Sequence, residues 1–123
     1  MQINRHKIIK WILSNNISEK ESTPIHILAF LEAKEGKKQE LVNILIPISE
    51  YSRKEKGNIK YILNLAVDNP NYFMIDEEWS SKETFDMHYN SHQSEKNRDK
   101  VKNLLVNPME VKMFKEINKN LKD

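Results

Sequence analysis

The stretch Tyr72-Phe73-Met74-Ile75-Asp76-Glu77-Glu78-Trp79-Ser80-Ser81-Lys82-Glu83-Thr84-Phe85 changes its period in mid-course. Up to Trp79 the alternation is two: Phe73, Ile75, Glu77 and Trp79 fall on one side of a strand. From Ser80 the pattern is helical. Ser80 followed three residues later by Glu83 reads as a capping box, and the helix it opens carries Phe85, His88 and Tyr89 on one face. A strand that runs directly into a capped helix, with one acid among its inward apolar residues, is the feature on which the rest of the reading turns.

Upstream, Asp68-Asn69-Pro70-Asn71 is a strong turn signal. Before it, Ile59 to Val67 reads as a strand with Ile59, Tyr61, Leu63 and Leu65 on one face, so the two segments form an antiparallel hairpin. From about Lys37 to Lys56 the spacing of Leu41, Ile44, Leu45 and Ile48 predicts a helix with one buried stripe. Pro47 lies inside it, where a kink or an interruption is expected. Gly57 suits a left-handed residue after the helix. Pro24 opens another strand, with Ile25, Ile27, Ala29 and Leu31 facing one side and His26, Leu28 and Phe30 the other. Downstream, about Ser94 to Val106 reads as helical, and Met109 to Ile117 as a last strand.

The order β-α-β-β-α-α-β predicts an α+β fold: a ferredoxin-like four-stranded antiparallel sheet with helices on one face. Leu28 and Phe30 then point away from the helices, and a homodimer pressing two such faces together is the simplest way to cover them. Residues 1–22 read as an N-terminal helical extension and linker, with an amphipathic helix over 4–14, and residues 23–123 as the folded domain.

Composition removes several functions. The 123 residues contain no Cys, which excludes disulfides, thiolate nucleophiles and thiolate metal sites. Two Gly, four Pro and no G-x-x-x-x-G-K pattern argue against a glycine-rich phosphate loop. A formal charge of +2 argues against a nucleic-acid binder. Lys96, Arg98, Lys100 and Lys102 alternate with Glu95 and Asp99, which reads as a solvated helix face. No apolar run approaches membrane-spanning length, so a cytoplasmic protein with no membrane partner is expected. His88 and His92 stand at i, i+4, but two nitrogens with no acid between them make a poor metal set, and no metal is expected.

Glu77-Glu78-Trp79, the polar helix start Ser80 to Phe85, and His88 nine residues past the tryptophan resemble the antibiotic biosynthesis monooxygenase family. Gly36 after the first strand, Gly57 four residues before Tyr61, and the closing segment Pro108 to Phe114 extend the resemblance over about residues 24–117. The resemblance implies a dimeric α+β barrel and a small oxygenase that uses dioxygen on quinols or phenols with neither flavin nor metal. The family's haem-degrading branch carries an asparagine where this chain has Ala29, and its frequent Pro-His-Phe is here Ser91-His92-Gln93.

Such chemistry needs a base near neutral pKa and a dry pocket. His88 is the candidate base or partner of the substrate oxygen, with Glu77 orienting it or taking the proton. Trp79 would stack on the substrate ring, Tyr61 could donate a hydrogen bond, and Phe85 would complete the substrate pocket. Each has a structural alternative. His88 could be a satisfied core histidine, Trp79 and Tyr61 packing residues, and Glu77 the partner of a helix end or lysine. A dimeric protein that binds a small ligand or answers stress without chemistry has the same sequence signature. An isomerase of a small phosphorylated sugar would want convergent Lys or Arg in the pocket, and none falls on the expected inner faces.

Overall fold

The computed structural model describes residues 23–118. The helix over 4–14 and the extension it belongs to lie outside the described residues. The elements are β1 (Ile25–Glu32), α1 (Lys38–Arg53), β2 (Asn58–Leu65), β3 (Tyr72–Trp79), α2 (Lys82–Tyr89), α3 (His92–Lys102) and β4 (Glu110–Phe114). All strand pairs are antiparallel, in the order β2-β3-β1-β4. This is the expected ferredoxin-like arrangement. In the central pair Ile25 faces Trp79, Ile27 faces Glu77, Ala29 faces Ile75 and Leu31 faces Phe73. Those two rows and the buried residues Leu41 and Leu45 of α1, Phe85 of α2 and Val101 of α3 form one core. At about 25 cal/mol per Å² of apolar surface removed from water, that contact is the main force holding helices to sheet.

Several details differ from expectation, each for a local reason. The interruption expected at Pro47 does not occur: helix α1 continues through it, and Pro47 is exposed, so water can satisfy the carbonyl that the missing N–H leaves behind. Ile59 does not share the face of Tyr61. The ladder slips between Asn58 and Lys60, and the extra residue of the bulge points Ile59 out. The cap of α2 is Ser81 with Thr84 and not Ser80 with Glu83. Thr84 N–H donates to Ser81 Oγ at 3.1 Å, and Ser81 N–H donates to Thr84 Oγ1 at 3.3 Å. Ser80 directly follows β3, its N–H donating to the Gly57 carbonyl at 2.7 Å, and the helix starts one residue later with Ser81 as its cap.

Helix α3 starts at His92, earlier than expected, because Ser91 caps it by accepting from Ser94 N–H at 3.1 Å. It also ends earlier. Lys34 N–H takes the Leu104 carbonyl and Val106 N–H takes the Glu32 carbonyl, each at 2.8 Å, which pulls the chain onto the end of β1. Strand β4 is shorter than the expected Met109–Ile117; its pairing with β1 ends at Phe114, opposite His26. Val111 and Met113 of β4 oppose the inward Ala29 and Ile27, yet both are exposed among the described residues. On the other side of the sheet Leu28 and Phe30 are half-buried, and Phe30 stacks on Tyr72. Gly36 and Gly57 both have positive φ; at Gly57 a Cβ would collide with the Thr84 side chain.

Candidate active site

Glu77 occupies an apolar seat. Alternation in β3 turns Asp76 and Glu78 outward, where Asp76 pairs with Lys60 at 3.0 Å, and turns Glu77 inward between Ile75 and Trp79. It is 4% exposed. Its Oε1 accepts from the Trp79 indole N–H at 2.9 Å, a bond made possible because residues two apart on a strand share a face. Burial pushes the carboxyl up to about 7. The indole bond pulls the other way, and the neighbouring acids Glu55 and Asp76 add to the rise.

His88 comes down from α2 onto this pair. Its ring lies tilted on Trp79 at 4.6 Å between centroids and meets Tyr61 edge-on at 6.1 Å. Its Nδ1 is 2.6 Å from Glu55 Oε1, at the turn between α1 and β2. With that carboxylate accepting from Nδ1, Nε2 is the ring nitrogen left to meet a substrate. Tyr61 is buried, and desolvation, with the charge of Glu77 next, pushes its phenol above the ordinary value, so it stays a neutral donor. The Ser52 side chain lies beside that phenol, but its buried Oγ has no hydrogen-bond partner of good geometry.

Glu77, His88, Tyr61 and Phe85 line one cavity of about 60 Å³, floored by Ile27, Ala29 and Leu31 of β1. Trp79 is not part of that wall. It is 0% exposed, sandwiched among Phe85, His88 and the sheet, so it has no free face on which a substrate ring could stack, and it holds His88 and Glu77 in place. Its burial follows from the ladder: Trp79 opposes Ile25 and Asn58 at the closed end of the sheet. His92 is exposed, and because Ser91 starts a new helix the two histidines stand on different helices; the i, i+4 clamp does not form.

Two residues of the site escaped the sequence reading. Glu55 carried no signal, standing in a charged turn between Lys54 and Lys56. Arg98 did. Ser94, Asn97, Arg98 and Val101 all line the cavity, and their spacing is one helix face. Taking Arg98 with the lysines around it as a solvated face was therefore wrong: it is half-buried, lies 4.0 Å over the Tyr89 ring, and donates to the Tyr89 carbonyl at 2.8 Å.

The antibiotic biosynthesis monooxygenase family model matches residues 24–100, which span both central strands and every polar residue of the cavity. The chain belongs to that family. A Synechocystis relative, itself an uncharacterized protein, is 28% identical over 92 residues, covering 75% of this chain and 63% of its own length. The chain thus spans less than two thirds of that curated relative. Among solved structures, a Shewanella oneidensis protein is 26% identical, with 77% of this chain and 92% of the other covered and a TM-score of 0.72. A conserved Methanosarcina mazei protein is 23% identical, with 80% and 98% covered and a TM-score of 0.73. A candidate antibiotic biosynthesis monooxygenase of Nitrosomonas europaea has the same TM-score, 0.73, at 16% identity, with 79% and 93% covered. The last two share the monooxygenase-family fold with this chain. Among the described residues no helix is long and apolar enough to cross a membrane.

Proposed function

We propose that this family member is a monooxygenase that oxidises a small electron-rich aromatic of phenol or quinol type with dioxygen, without flavin, haem or metal. The supporting observation is that a buried carboxyl titrating at about 7 and an imidazole held by Glu55 face the same largely apolar cavity. Either group can take the hydroxyl proton, Glu77 on a carboxylate oxygen or His88 on Nε2. The phenolate then gives one electron to dioxygen. The resulting phenoxyl and superoxide combine at a ring carbon, the peroxide anion takes back the proton from the base, and the hydroperoxide loses water to leave a quinone. One phenol and one dioxygen thus become one quinone and one water. The apolar walls favour this sequence by keeping bulk water from the radical pair.

In this reading residues 23–123 form the catalytic domain, residues 1–22 are an appendage, and a cytoplasmic homodimer covers the outer sheet face that carries Leu28 and Phe30. The test is oxygen uptake over a panel of quinols, phenols and naphthols. His88→Ala and Glu77→Gln are compared, and the variant that removes the base should lower the rate on a working substrate by roughly a hundredfold or more. Uptake in His88→Ala equal to the unaltered protein would remove His88 from the reaction. A panel with no uptake above buffer would leave a non-catalytic binding protein.

A further inference from the structure

The cavity has a second polar group that deprotonation does not use. Ser94, Asn97 and Arg98 project into it from one face of α3, while Tyr61, Glu77 and His88 come from β2, β3 and α2. Except for Tyr89, half-buried beside Arg98, the remaining lining is apolar. Among the described residues the Arg98 guanidinium makes one hydrogen bond, to the Tyr89 carbonyl, and lies within ion-pair distance of no carboxylate. Of its five N–H donors four remain. The Tyr89 ring under the guanidinium, 4.0 Å away, steadies its plane without consuming an N–H. Asn97 adds to this group: its Oδ1 accepts from Gln93, which leaves its amide N–H donors available.

A half-buried guanidinium without a counter-ion, in the wall of an apolar cavity, is matched to an anion. The geometry favours a planar one with two oxygens, which takes two parallel N–H groups at once. A phosphate fits poorly. Among the described residues no lysine and no other arginine lines the cavity, so its second charge would be uncompensated, and the Glu77 carboxyl faces the same space. The same count disfavours a phosphorylated sugar.

We propose that the aromatic oxidised here carries a carboxylate, bound by Arg98, while its hydroxyl meets Glu77 and His88. The substrate class is a hydroxylated aromatic acid, and the assignment rests on the monooxygenase reading of the site. Such a molecule enters only if the cavity opens. A space that accepts a benzene ring is on the order of 150 Å³, against about 60 Å³ here. Arg98 and Tyr89 are half-buried members of the wall joined to each other, so swinging aside the Tyr89 ring enlarges the space and bares the guanidinium to the incoming carboxylate.

Calorimetric titration of the full chain with ortho-, meta- and para-hydroxybenzoate, each against phenol, tests this. In the unaltered protein at least one isomer should bind roughly ten- to a hundredfold more tightly than phenol, the range expected of a charge-assisted pair. Arg98→Gln should erase the preference to within about twofold, and Arg98→Lys should keep part of it, since lysine supplies the charge without the planar fork. Equal affinity for phenol and all three acids in the unaltered protein overturns the proposal whatever the variants do, as does a preference that survives Arg98→Gln or an absence of binding by every acid. Oxygen uptake, measured separately, tells the two readings apart. Selective acid binding with no uptake on any substrate removes the oxygenase and leaves the carboxylate site; uptake on neutral phenols with no acid preference does the reverse.

Discussion

Replacing Glu77 by glutamine should make the protein less sensitive to pH, by an amount the structure sets. The carboxyl is 4% exposed, so solvent screens it little, and burial raises its pKa from 4.5 to about 7. Between those values the folded chain holds a proton that the unfolded chain has released. Stability contributed by the neutral acid is therefore complete below pH 4.5, falls as the pH rises through the interval, and levels off above 7. At 1.36 kcal/mol per pKa unit the loss is about 3 kcal/mol. Glutamine keeps an oxygen to accept from the Trp79 indole and has no proton to lose. At pH 4.5 the two proteins should match within about 1 kcal/mol, and at pH 8 Glu77→Gln should be the more stable by about 3 kcal/mol. For a chain of this size that is a difference of about 10 °C in melting temperature. Urea unfolding followed by circular dichroism across this range gives the difference, because titrating groups not coupled to Glu77 cancel between the two proteins. Parallel stability curves would mean that Glu77 ionises freely where it sits, and the buried-base reasoning would fail with them.

Two further tests address the frame around the site. Gly57→Ala forces a left-handed residue and drives a methyl into Thr84 of the α2 cap, so it should cost about 3 kcal/mol in denaturant unfolding, whereas Gly36→Ala, with similar φ and nothing nearby, should cost only about 1 kcal/mol; equal losses would deny the clash. Ser52→Ala removes a buried hydroxyl without a partner and should stabilise the protein by about 1 kcal/mol in the same assay. A loss of that size would show instead that the hydroxyl is bonded.

Much of the architecture was legible because its two central strands are strictly alternating and its turns are marked by residues with few other uses. The alternation in Ile25–Glu32 and Tyr72–Trp79 was enough to place every inward residue of β1 and β3. Where the reading slipped, the decisive interaction was non-local. Ser80 has the right chemistry for a cap, but its backbone N–H is tied to the Gly57 carbonyl, distant in sequence, and the cap falls to Ser81. Leu104 and Leu105 are buried like helix residues, but they lie beyond Lys102 because the backbone after β1 binds them. In the site the same division holds. Glu77, Tyr61, Phe85 and His88 could be brought together by period alone, and they do share a cavity. Trp79 was placed on the correct face, but how deeply it lies depends on what packs over it, which spacing does not contain. Arg98 was hidden by its company: charge pattern pointed outward, while its spacing from Val101 pointed in.

Three consecutive acids in β3 also act as a registration mark for the sheet. Asp76 and Glu78 lie half-buried on the outer face with Lys60 and His26 for company, and only the middle member is inside. Were the strand to pair one position out of step, it would carry two carboxylates into the oily side in exchange for one, and take Phe73, Ile75 and Trp79 out of the core. Each misplaced carboxylate costs several kcal/mol. A mispaired sheet is thus penalised by the residues that surround the chemistry, and the acid suited to taking a proton comes to rest facing the cavity each time the chain folds.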